Sequence, residues 1–258
     1  MKRLRMHASG LKLTNSLISM NNGTCRNELL ATGFTTIPGI YSRQEVEQIL
    51  SAINISIADG EKRTFRRSAD LFAIRQFLKE VPGAIPLIFN EKLKSTIHNL
   101  FGEGYFVVKS IYFDKPESSN WYVAYHQDLT ISVDRKVALV GFGPWTTKQN
   151  QFAVQPPLGI LENIYTIRIH LDDTDNENGA LKVIPGSHAK GIYRSESIDW
   201  NSEKEFICNV PVGGIMIMKP LLLHSSGRTT NNKKRRVIHI ELASKELPAE
   251  LNWSERLN

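Results

Sequence analysis

The sequence predicts a mainly β protein with flanking α-helices, arranged as an antiparallel sandwich or barrel with the helices packed outside. Three observations lead to this fold class. Segments with helical spacing come first, and short apolar runs rich in β-branched and aromatic residues follow from residue 105. Turn-forming residues separate these runs. No strand-like run is followed by a long helix, which disfavours a parallel, doubly wound sheet.

An N-terminal helix is predicted after a short β-like run and a Pro-Gly turn. Ser42 stands three residues before Glu45, which is the spacing of a capping box. The apolar residues that follow share one helical face: Val46, Ile49, Leu50 and Ile53. Residues 69–104 contain two further helix-like stretches, separated by Pro82 and Pro86.

Six strand-like runs are predicted in the second part of the chain. They span residues 105–113, 121–133, 164–172, 180–186, 213–226 and 235–243. Residues 32–258 are predicted to form a single domain, because sandwiches and barrels often use this length. Residues 1–31 are predicted to be a flexible or irregular leader, since their basic start and interrupted apolar residues make a poor signal peptide.

The composition is that of an ordinary soluble protein, with 258 residues, 41% hydrophobic and 22% charged. No apolar run approaches the roughly 18 residues of a membrane helix, so no membrane partner is expected. The two cysteines, Cys25 and Cys208, cannot build a disulfide framework and lack metal-ligand spacing, so a cytoplasmic location is expected. The sequence does not indicate an oligomeric state.

The net charge is +6, and "KKRR" at residues 233–236 is the candidate patch for a nucleic acid. The basic residues form no long stripe and are not interleaved with stacking aromatics. A solvated loop that enters a strand is therefore favoured, and no nucleic-acid partner is expected. Attraction of small anions also fits this charge.

The run at residues 121–133 carries an imidazole and a carboxylate on one predicted face. Residues i and i+2 of a strand point the same way, so His126 and Asp128 face one side together. An unsatisfied buried polar group costs roughly 1–3 kcal/mol, so both groups need partners. A metal ion would provide one, because two histidines and one carboxylate form a facial triad for divalent iron.

The third ligand is predicted to be a distant histidine, and His224 is preferred. It ends an apolar run, and Arg235 follows eleven residues later. His188 lies in a predicted turn and suits a hydrogen-bonding role, whereas His170 and His239 lie within strands and are interpreted as wall residues. If an oxo-acid co-substrate chelated the metal, its far carboxylate would need a buried counter-charge, which the fork of an arginine supplies.

Three segments together resemble the phytanoyl-CoA dioxygenase family of iron(II)/2-oxoglutarate oxygenases: "NWYVAYHQDLTI", "RIHLDDTDNENGALKVIPGSH" and "LLLHSSGRTTNNKKRRVIHIELA". The resemblance runs from about residue 32 to residue 243. It implies a double-stranded β-helix, or jelly-roll (cupin-like), barrel with N-terminal helices packed on one sheet. It also implies Fe(II), 2-oxoglutarate and O2, with hydroxylation of an unactivated C–H bond of a small-molecule substrate and release of succinate and carbon dioxide.

Carried over by position, the resemblance assigns roles to individual residues. Iron is expected on His126, Asp128 and His224. The tail of 2-oxoglutarate is expected on Arg235 and Ser226. Arg236 is the alternative to Arg235, because a one-residue shift in register exchanges the two faces of a strand.

Several further residues are candidates for the same cavity. Lys109 is expected to bind the co-substrate, with an edge-strand lysine in water as the alternative. Trp145 and Gln155 are expected to bind substrate, with loop packing as the alternative, and the Gly/Pro-rich loop 137–157 is expected to close over the site. Arg168 is either a cavity residue or the partner of surface acids.

Three other functions fit parts of the sequence. A metal-binding jelly roll without oxygenase activity would keep the three ligands but need no arginine at position 235. A zinc hydrolase would suit the same ligands but would need a general base that the nearby sequence does not offer. Nucleic-acid modification would explain the positive charge alone.

Overall fold

The computed structural model describes residues 23–58, 65–67, 71–115, 122–148, 151–231 and 233–257. Within these ranges the chain is mainly β, as predicted, and each strand pairs antiparallel with its neighbours. The strands form a seven-stranded, a four-stranded and a three-stranded sheet. No helix in these ranges is long and apolar enough to cross a membrane.

The bounds of the elements are as follows. The strands are β1 Phe34–Ile37, β2 Phe65–Arg67, β3 Leu71–Arg75, β4 Phe106–Lys115, β5 Val123–His126, β6 Ile131–Val133, β7 Trp145–Lys148, β8 Gln151–Val154, β9 Ile164–His170, β10 Leu181–Val183, β11 Phe206–Cys208, β12 Ile215–Met218, β13 His224–Ser226 and β14 Arg235–Ala243. The α-helices are α1 (residues 23–32), α2 Arg43–Ala58, α3 Phe77–Glu80, α4 Ile85–Ile88, α5 Glu91–Phe101 and α6 Leu158–Leu161.

The two larger sheets have the strand order of a double-stranded β-helix. The seven-stranded sheet runs β1-β12-β9-β14-β4-β3-β2, and the four-stranded sheet runs β11-β10-β13-β5. From β4 onwards the chain passes back and forth between these two sheets, so that β5 and β13 become neighbours in one sheet while β4, β14 and β9 adjoin in the other. The predicted jelly roll is confirmed, although among the described strands it consists of open sheets and not of a closed barrel.

The N-terminal helices cover the outer face of the seven-stranded sheet. The predicted capping box is present: the N–H of Ser42 donates to Oε2 of Glu45 at 2.7 Å, and the N–H of Glu45 donates to Oγ of Ser42 at 3.2 Å. Val46 on α2 belongs to the same buried apolar cluster as Ile167 and Ile238 of the sheet. Because side chains alternate along a strand, the next residue on each of these strands, Arg168 on β9 and His239 on β14, points to the opposite, inner face.

Two predictions for the N-terminal part were wrong. Residues 71–75 were predicted to be helical, but they form β3, which pairs with β4 in a register that places Ala73 opposite Phe113. Pairing to the edge of a sheet has overridden the helical spacing there. Residues 23–31 of the predicted leader are helical, and Cys25 and Leu29 are buried; residues 1–22 lie outside the described part.

The segment 137–157 is not the structureless loop that was expected. It contains β7 and β8, which pair with each other and, through β8, with β6. Its apolar side chains, among them Phe142 and Phe152, pack on a cluster that includes Ile131 and Trp253. Its closure over the site stays a prediction.

Candidate active site

The strand that carries His126 ends at that residue, and Asp128 lies in the segment after it. The shared face of one continuous strand is therefore not what brings these two residues together, contrary to the prediction. The chain leaves β5, and the N–H of Asp128 donates to the carbonyl oxygen of Pro220 at 2.9 Å. In this position, Oδ1 of Asp128 lies 3.9 Å from Nε2 of His126.

His224 joins the pair because β13 is the neighbour of β5. The two histidines are opposite each other in the register, and their ring centroids are 4.3 Å apart. Nε2 of His224 lies 3.8 Å from Oδ2 of Asp128. One ligand atom from each of the three residues lies within 4.8 Å of the others, so a single metal ion can contact all three.

Both imidazoles are oriented for binding a metal through Nε2. Nδ1 of His126 lies 2.8 Å from the carbonyl oxygen of Ala124, and Nδ1 of His224 lies 2.8 Å from that of Leu222. A carbonyl oxygen only accepts, so each Nδ1 carries the proton and each Nε2 keeps its lone pair. Histidine ligands in metal sites are commonly held in this way.

The ionisation states also fit a metal. Burial opposes the ionisation of Asp128, but the basic groups around it, His224 and His239 ahead of Lys109, lower its pKa below the ordinary value. Burial lowers the pKa of His224 to about 4, although Asp128 acts in the opposite direction. At neutral pH a charged carboxylate and a neutral imidazole therefore face each other, as metal coordination requires.

Gln127, between the two ligands, holds this turn in place and was missed by the sequence analysis. Its buried side chain donates through Nε2 to the carbonyl oxygens of Gly191 at 2.9 Å and Leu221 at 2.5 Å. Its Oε1 accepts from the N–H of Tyr193 at 2.8 Å. These long-range contacts explain why sequence pattern carried no signal for it.

Replacing Gln127 with alanine is expected to lower both stability and metal affinity. The change removes the side-chain partner of three backbone groups, of which that of Leu221 is buried and those of Gly191 and Tyr193 are partly buried. An unmade buried hydrogen bond costs about 1–3 kcal/mol. Because the turn also aims Asp128, metal affinity should fall by about 10- to 100-fold. Urea denaturation and calorimetric titration with Mn(II) measure the two effects. Gln44→Ala removes the same side chain at an exposed position of α2 and should change neither; unchanged metal affinity in Gln127→Ala would contradict the role of the turn.

The segment that contains His188 supports His224 from the other side. Oγ of Ser187 accepts from the N–H of Leu223 at 2.8 Å, and the N–H of Ile184 donates to the carbonyl oxygen of Leu223 at 3.0 Å. His188 itself lies with Nε2 3.3 Å from the carbonyl oxygen of Leu30, outside the group of three ligands. This segment therefore positions His224, and its own His188 lies outside the candidate metal site.

The three candidate ligands open onto a cavity of about 230 Å³ between the two larger sheets. Its polar lining residues are Lys109, His126, Asp128, Arg168, His224, Ser225, Ser226, Arg235 and His239. Its apolar lining residues are Ile111, Phe113, Val123 and Leu181. The cavity thus combines a potential metal site with three cationic side chains.

The first two β14 residues point in opposite directions. Arg235 is 5% exposed and lines the cavity. Arg236 points away from it and binds Asp172 with two bonds, from Nε at 2.9 Å and from NH2 at 2.6 Å. Of the "KKRR" segment, only Lys233 and Lys234 are exposed, so half of the sequence's most basic run is not available as a surface patch.

Gly179 anchors the arginine end of the cavity. Its carbonyl oxygen accepts from NH1 of Arg235 at 2.6 Å and from Oγ of Ser226 at 2.9 Å. Gly179 has a φ of 84°, and a Cβ there would lie 2.8 Å from the carbonyl oxygen of Gly227 and 2.9 Å from Nζ of Lys115. Only glycine fits this position, which explains why the "NGAL" segment has a glycine at residue 179.

A buried chain of polar groups crosses the inner face of the seven-stranded sheet. Nζ of Lys109 lies 2.7 Å from Oε1 of Glu241, which also lies 3.1 Å from Nε2 of His239. NH1 of Arg168 lies 3.2 Å from Nδ1 of His239. Lys109 thus lines the cavity as predicted, but its charge is already matched by Glu241.

Asp128, His239 and Glu241 form a second group with metal-ligand spacing. A guanidinium only donates, so Nδ1 of His239 must accept from Arg168 and the ring proton must lie on Nε2, facing Glu241. His239 then has no nitrogen lone pair left to bind a metal, and Glu241 is already paired with Lys109. The group of His126, Asp128 and His224 is therefore the better metal site.

Trp145 and Gln155, which were expected to bind substrate, are not among the described residues that line the cavity. Trp145 packs on the cluster of Ile131 and Trp253. The backbone of Gln155 bonds with Gly143 and Pro144. Their role in substrate binding stays a prediction, while Arg168 does lie in the cavity.

Comparison with known proteins agrees with this geometry. The family model described as "Phytanoyl-CoA dioxygenase (PhyH)" matches residues 30–237. A curated relative, the "Probable alpha-ketoglutarate-dependent hypophosphite dioxygenase" of Stutzerimonas stutzeri, is 24% identical over 249 residues, which cover 85% of this chain and 77% of that protein.

Solved structures share the fold at low sequence identity. EctD from S. alaskensis with 2-oxoglutarate and 5-hydroxyectoine has a TM-score of 0.66 and 18% identity, and the match covers 85% of this chain and 74% of that one. The epimerase SnoN from nogalamycin biosynthesis, in complex with Fe3+, alpha ketoglutarate and nogalamycin RO, has a TM-score of 0.64 and 15% identity, over 87% and 84% of the two chains. Because the family model matches most of its length, the chain belongs to the phytanoyl-CoA dioxygenase (PhyH) family and is a non-haem iron(II)- and 2-oxoglutarate-dependent dioxygenase.

Proposed function

We propose that this dioxygenase hydroxylates an unactivated C–H bond of a small molecule. One oxygen atom of O2 enters the substrate, the other enters succinate, and 2-oxoglutarate loses carbon dioxide. The observation that carries the proposal is that one cavity joins a two-histidine, one-carboxylate site to Arg235, a buried arginine with no carboxylate partner among the described residues. A metal alone would give such an arginine nothing to bind.

In this proposal His126, Asp128 and His224 hold the iron. The fit rests on two imidazole Nε2 atoms with free lone pairs and an ionised carboxylate, grouped within 4.8 Å. Such a donor set suits divalent iron and leaves coordination positions open. When bound, the iron supplies the activation of O2 that no side chain can provide.

Arg235 and Ser226 are proposed to hold the far carboxylate of 2-oxoglutarate. Arg235 uses NH1 on Gly179, which fixes the guanidinium while its other donors remain for two parallel bonds to a carboxylate. Its Nε has no hydrogen-bond partner and is fully buried. Burial lowers the pKa of Arg235 to about 9, so the side chain is still a cation at neutral pH and gains from an anion. Lys109 is then a wall residue that could reach the co-substrate only by leaving Glu241.

The apolar lining would keep water away from the bound co-substrate. Ile111 and Phe113 of β4 face the cavity from one sheet, and Leu181 of β10 faces it from the other. Such walls strengthen the charge–charge contacts inside the site. The protein would thus supply ligand geometry, a dry site and orientation of the substrate.

The test is binding first and turnover second. Anaerobic calorimetry with the Mn(II)-loaded chain should show 2-oxoglutarate binding that depends on the metal. Admitting O2 to the Fe(II)-loaded chain with a panel of small substrates should then release succinate, with the hydroxylated product identified by mass spectrometry. Metal binding without any 2-oxoglutarate binding would refute the proposal and favour a metal-binding module.

A further inference from the structure

A second buried arginine, Arg168, lies in the same cavity, and the proposed cofactor binding leaves it without a role. It projects from β9, inside the seven-stranded sheet, where the register places it between Met216 and His239. It is 7% exposed, and NH1 donates to Nδ1 of His239 at 3.2 Å. Its Nε has no partner, and no carboxylate in the described part of the chain pairs with it.

This position is costly for a charge. Burial lowers the pKa of Arg168 to about 10, although the charge of Asp128 acts in the opposite direction, and the guanidinium is still charged at neutral pH. Asp128 makes no ion pair with it within the described residues and is itself a candidate metal ligand. Taking a charge out of water is costly even after the protein relaxes, and most of all when its partner is missing. The ring of Phe113, whose centroid is 6.0 Å from Cζ, offsets only part of this cost. The arginine therefore lacks its main partner, an anion.

The charges around the cavity show which anion is missing. Lys109, Arg168 and Arg235 are positive, whereas Asp128 and Glu241 are negative. Fe(II) and the dianion 2-oxoglutarate cancel each other, so the loaded site keeps one positive charge. Lys109 is matched by Glu241 and Arg235 by the co-substrate, so that charge belongs to Arg168. The neighbouring Lys115 donates from Nζ to the carbonyl oxygen of Gly227 at 2.6 Å.

The space in the cavity limits the size of the missing anion. Pockets for drug-sized ligands usually measure about 300–1,000 Å³. This cavity measures about 230 Å³ and must also hold 2-oxoglutarate. The space inside the cavity, beside 2-oxoglutarate, therefore favours a molecule of a few heavy atoms, whereas a bulky thioester or a large secondary metabolite would have to extend out through its open side.

We infer that the substrate of this enzyme is a compact anion, with a carboxylate or a phosphorus oxyanion as its acidic group, and that Arg168 is the residue that binds it. The inference rests on the proposed function, because the charge count assumes that iron and 2-oxoglutarate occupy their sites. A carboxylate substrate keeps the C–H bond of that proposal, whereas a phosphorus oxyanion would replace it with a P–H bond. The guanidinium grips the acidic oxygens and holds the adjacent C–H or P–H bond towards the metal. With one oxygen atom of O2 inserted into that bond and the other into succinate, the reaction balances without a further reductant.

The test uses the full chain loaded with Mn(II) and saturated with 2-oxoglutarate under anaerobic conditions. Hypophosphite, which the name of the Stutzerimonas stutzeri relative suggests as a probe, acetate and uncharged acetamide are titrated by calorimetry. We expect at least one of the anions to bind without displacing 2-oxoglutarate, and acetamide not to bind. A preference between hypophosphite and acetate identifies the acidic group.

Variants then assign the binding to Arg168. Arg168→Gln should weaken anion binding at least tenfold while the affinity for 2-oxoglutarate changes less than twofold, and Arg168→Lys should recover part of the loss. Arg43→Gln makes the same change at an exposed position of α2 and should alter neither affinity. The melting temperature of metal-free Arg168→Gln should not fall below that of the wild type, because an unpaired buried charge is removed.

Four results would overturn the inference: neither anion binds, the anion displaces 2-oxoglutarate, acetamide binds equally well, or Arg168→Gln weakens 2-oxoglutarate as much as the anion. The second and fourth would make Arg168 a contact of the co-substrate. If Arg168→Gln does not fold, the wild-type competition experiment and Arg168→Lys decide. Failure of 2-oxoglutarate to bind the metal-loaded wild type would instead refute the proposed function itself.

Discussion

Replacing Asp128 with alanine is expected to abolish turnover and to weaken metal binding by at least about 100-fold. The carboxylate lies 3.9 Å from Nε2 of His126 and 3.8 Å from Nε2 of His224, so it contributes the one negative charge among the three ligands. Without it, two neutral imidazoles must hold a divalent ion beside the cations of the cavity. Calorimetric titration with Mn(II) and succinate release in the Fe(II)-loaded chain measure the two losses.

A matched control separates this effect from a general change in charge. Asp199→Ala removes the same side chain at an exposed position outside the cavity and should leave metal affinity unchanged. Circular dichroism should show that Asp128→Ala keeps its β structure, since the residue lies beyond the end of β5 and contributes no strand pairing through its side chain. Wild-type metal affinity in Asp128→Ala would mean that the ion binds elsewhere.

Replacing Arg235 with lysine is expected to weaken 2-oxoglutarate binding by at least tenfold, or about 1.4 kcal/mol. Lysine keeps the charge but loses the planar fork, which makes two parallel bonds to a carboxylate. It also loses the geometry of the NH1 bond to Gly179 that aims the group into the cavity. Anaerobic calorimetry measures the affinity, and Mn(II) binding should change less than twofold because Arg235 is not a ligand.

Arg236 provides the internal comparison, because it is the next residue on the same strand and points away from the cavity. Arg236→Lys disturbs the two bonds to Asp172 and should cost at most about 1 kcal/mol of stability at this partly exposed site. It should leave the affinity for 2-oxoglutarate unchanged. The opposite outcome, with the affinity sensitive to position 236 and not to 235, would reverse the proposed roles.

Local sequence patterns predicted the central strands well and missed several short strands. β4, β9 and β14 are rich in β-branched and aromatic residues, and these patterns hold because the strands lie inside the large sheet. The runs at β3 and β11 are short and lie near or at a sheet edge, where pairing depends on what the rest of the chain presents. β7 and β8 were hidden by glycine and proline, which pointed to a loop although the hairpin has an apolar cluster to pack on.

The candidate site was predicted from side-chain chemistry, but part of the argument was wrong. His126 and Asp128 do converge, yet the strand ends between them, and Gln127 supplies the contacts that turn the chain. No pattern in the sequence shows such contacts, because Gly191 and Leu221 are more than 60 residues away. The sequence could identify the candidate ligands but not the Gln127 hydrogen bonds that orient them.

By itself, the sequence determined the strand-rich fold class, the three ligand types and the presence of an arginine after the distal histidine. These depend on residue identity and on short-range periodicity, which a sequence displays directly. Only the tertiary structure decided which face each residue occupies. Arg235 points inward and Arg236 outward, Lys109 pairs with Glu241, and Arg168 has no ion-pair partner among the described residues. The physical reason is that a strand exposes alternate residues to two environments, and which environment is the cavity depends on how distant strands pair.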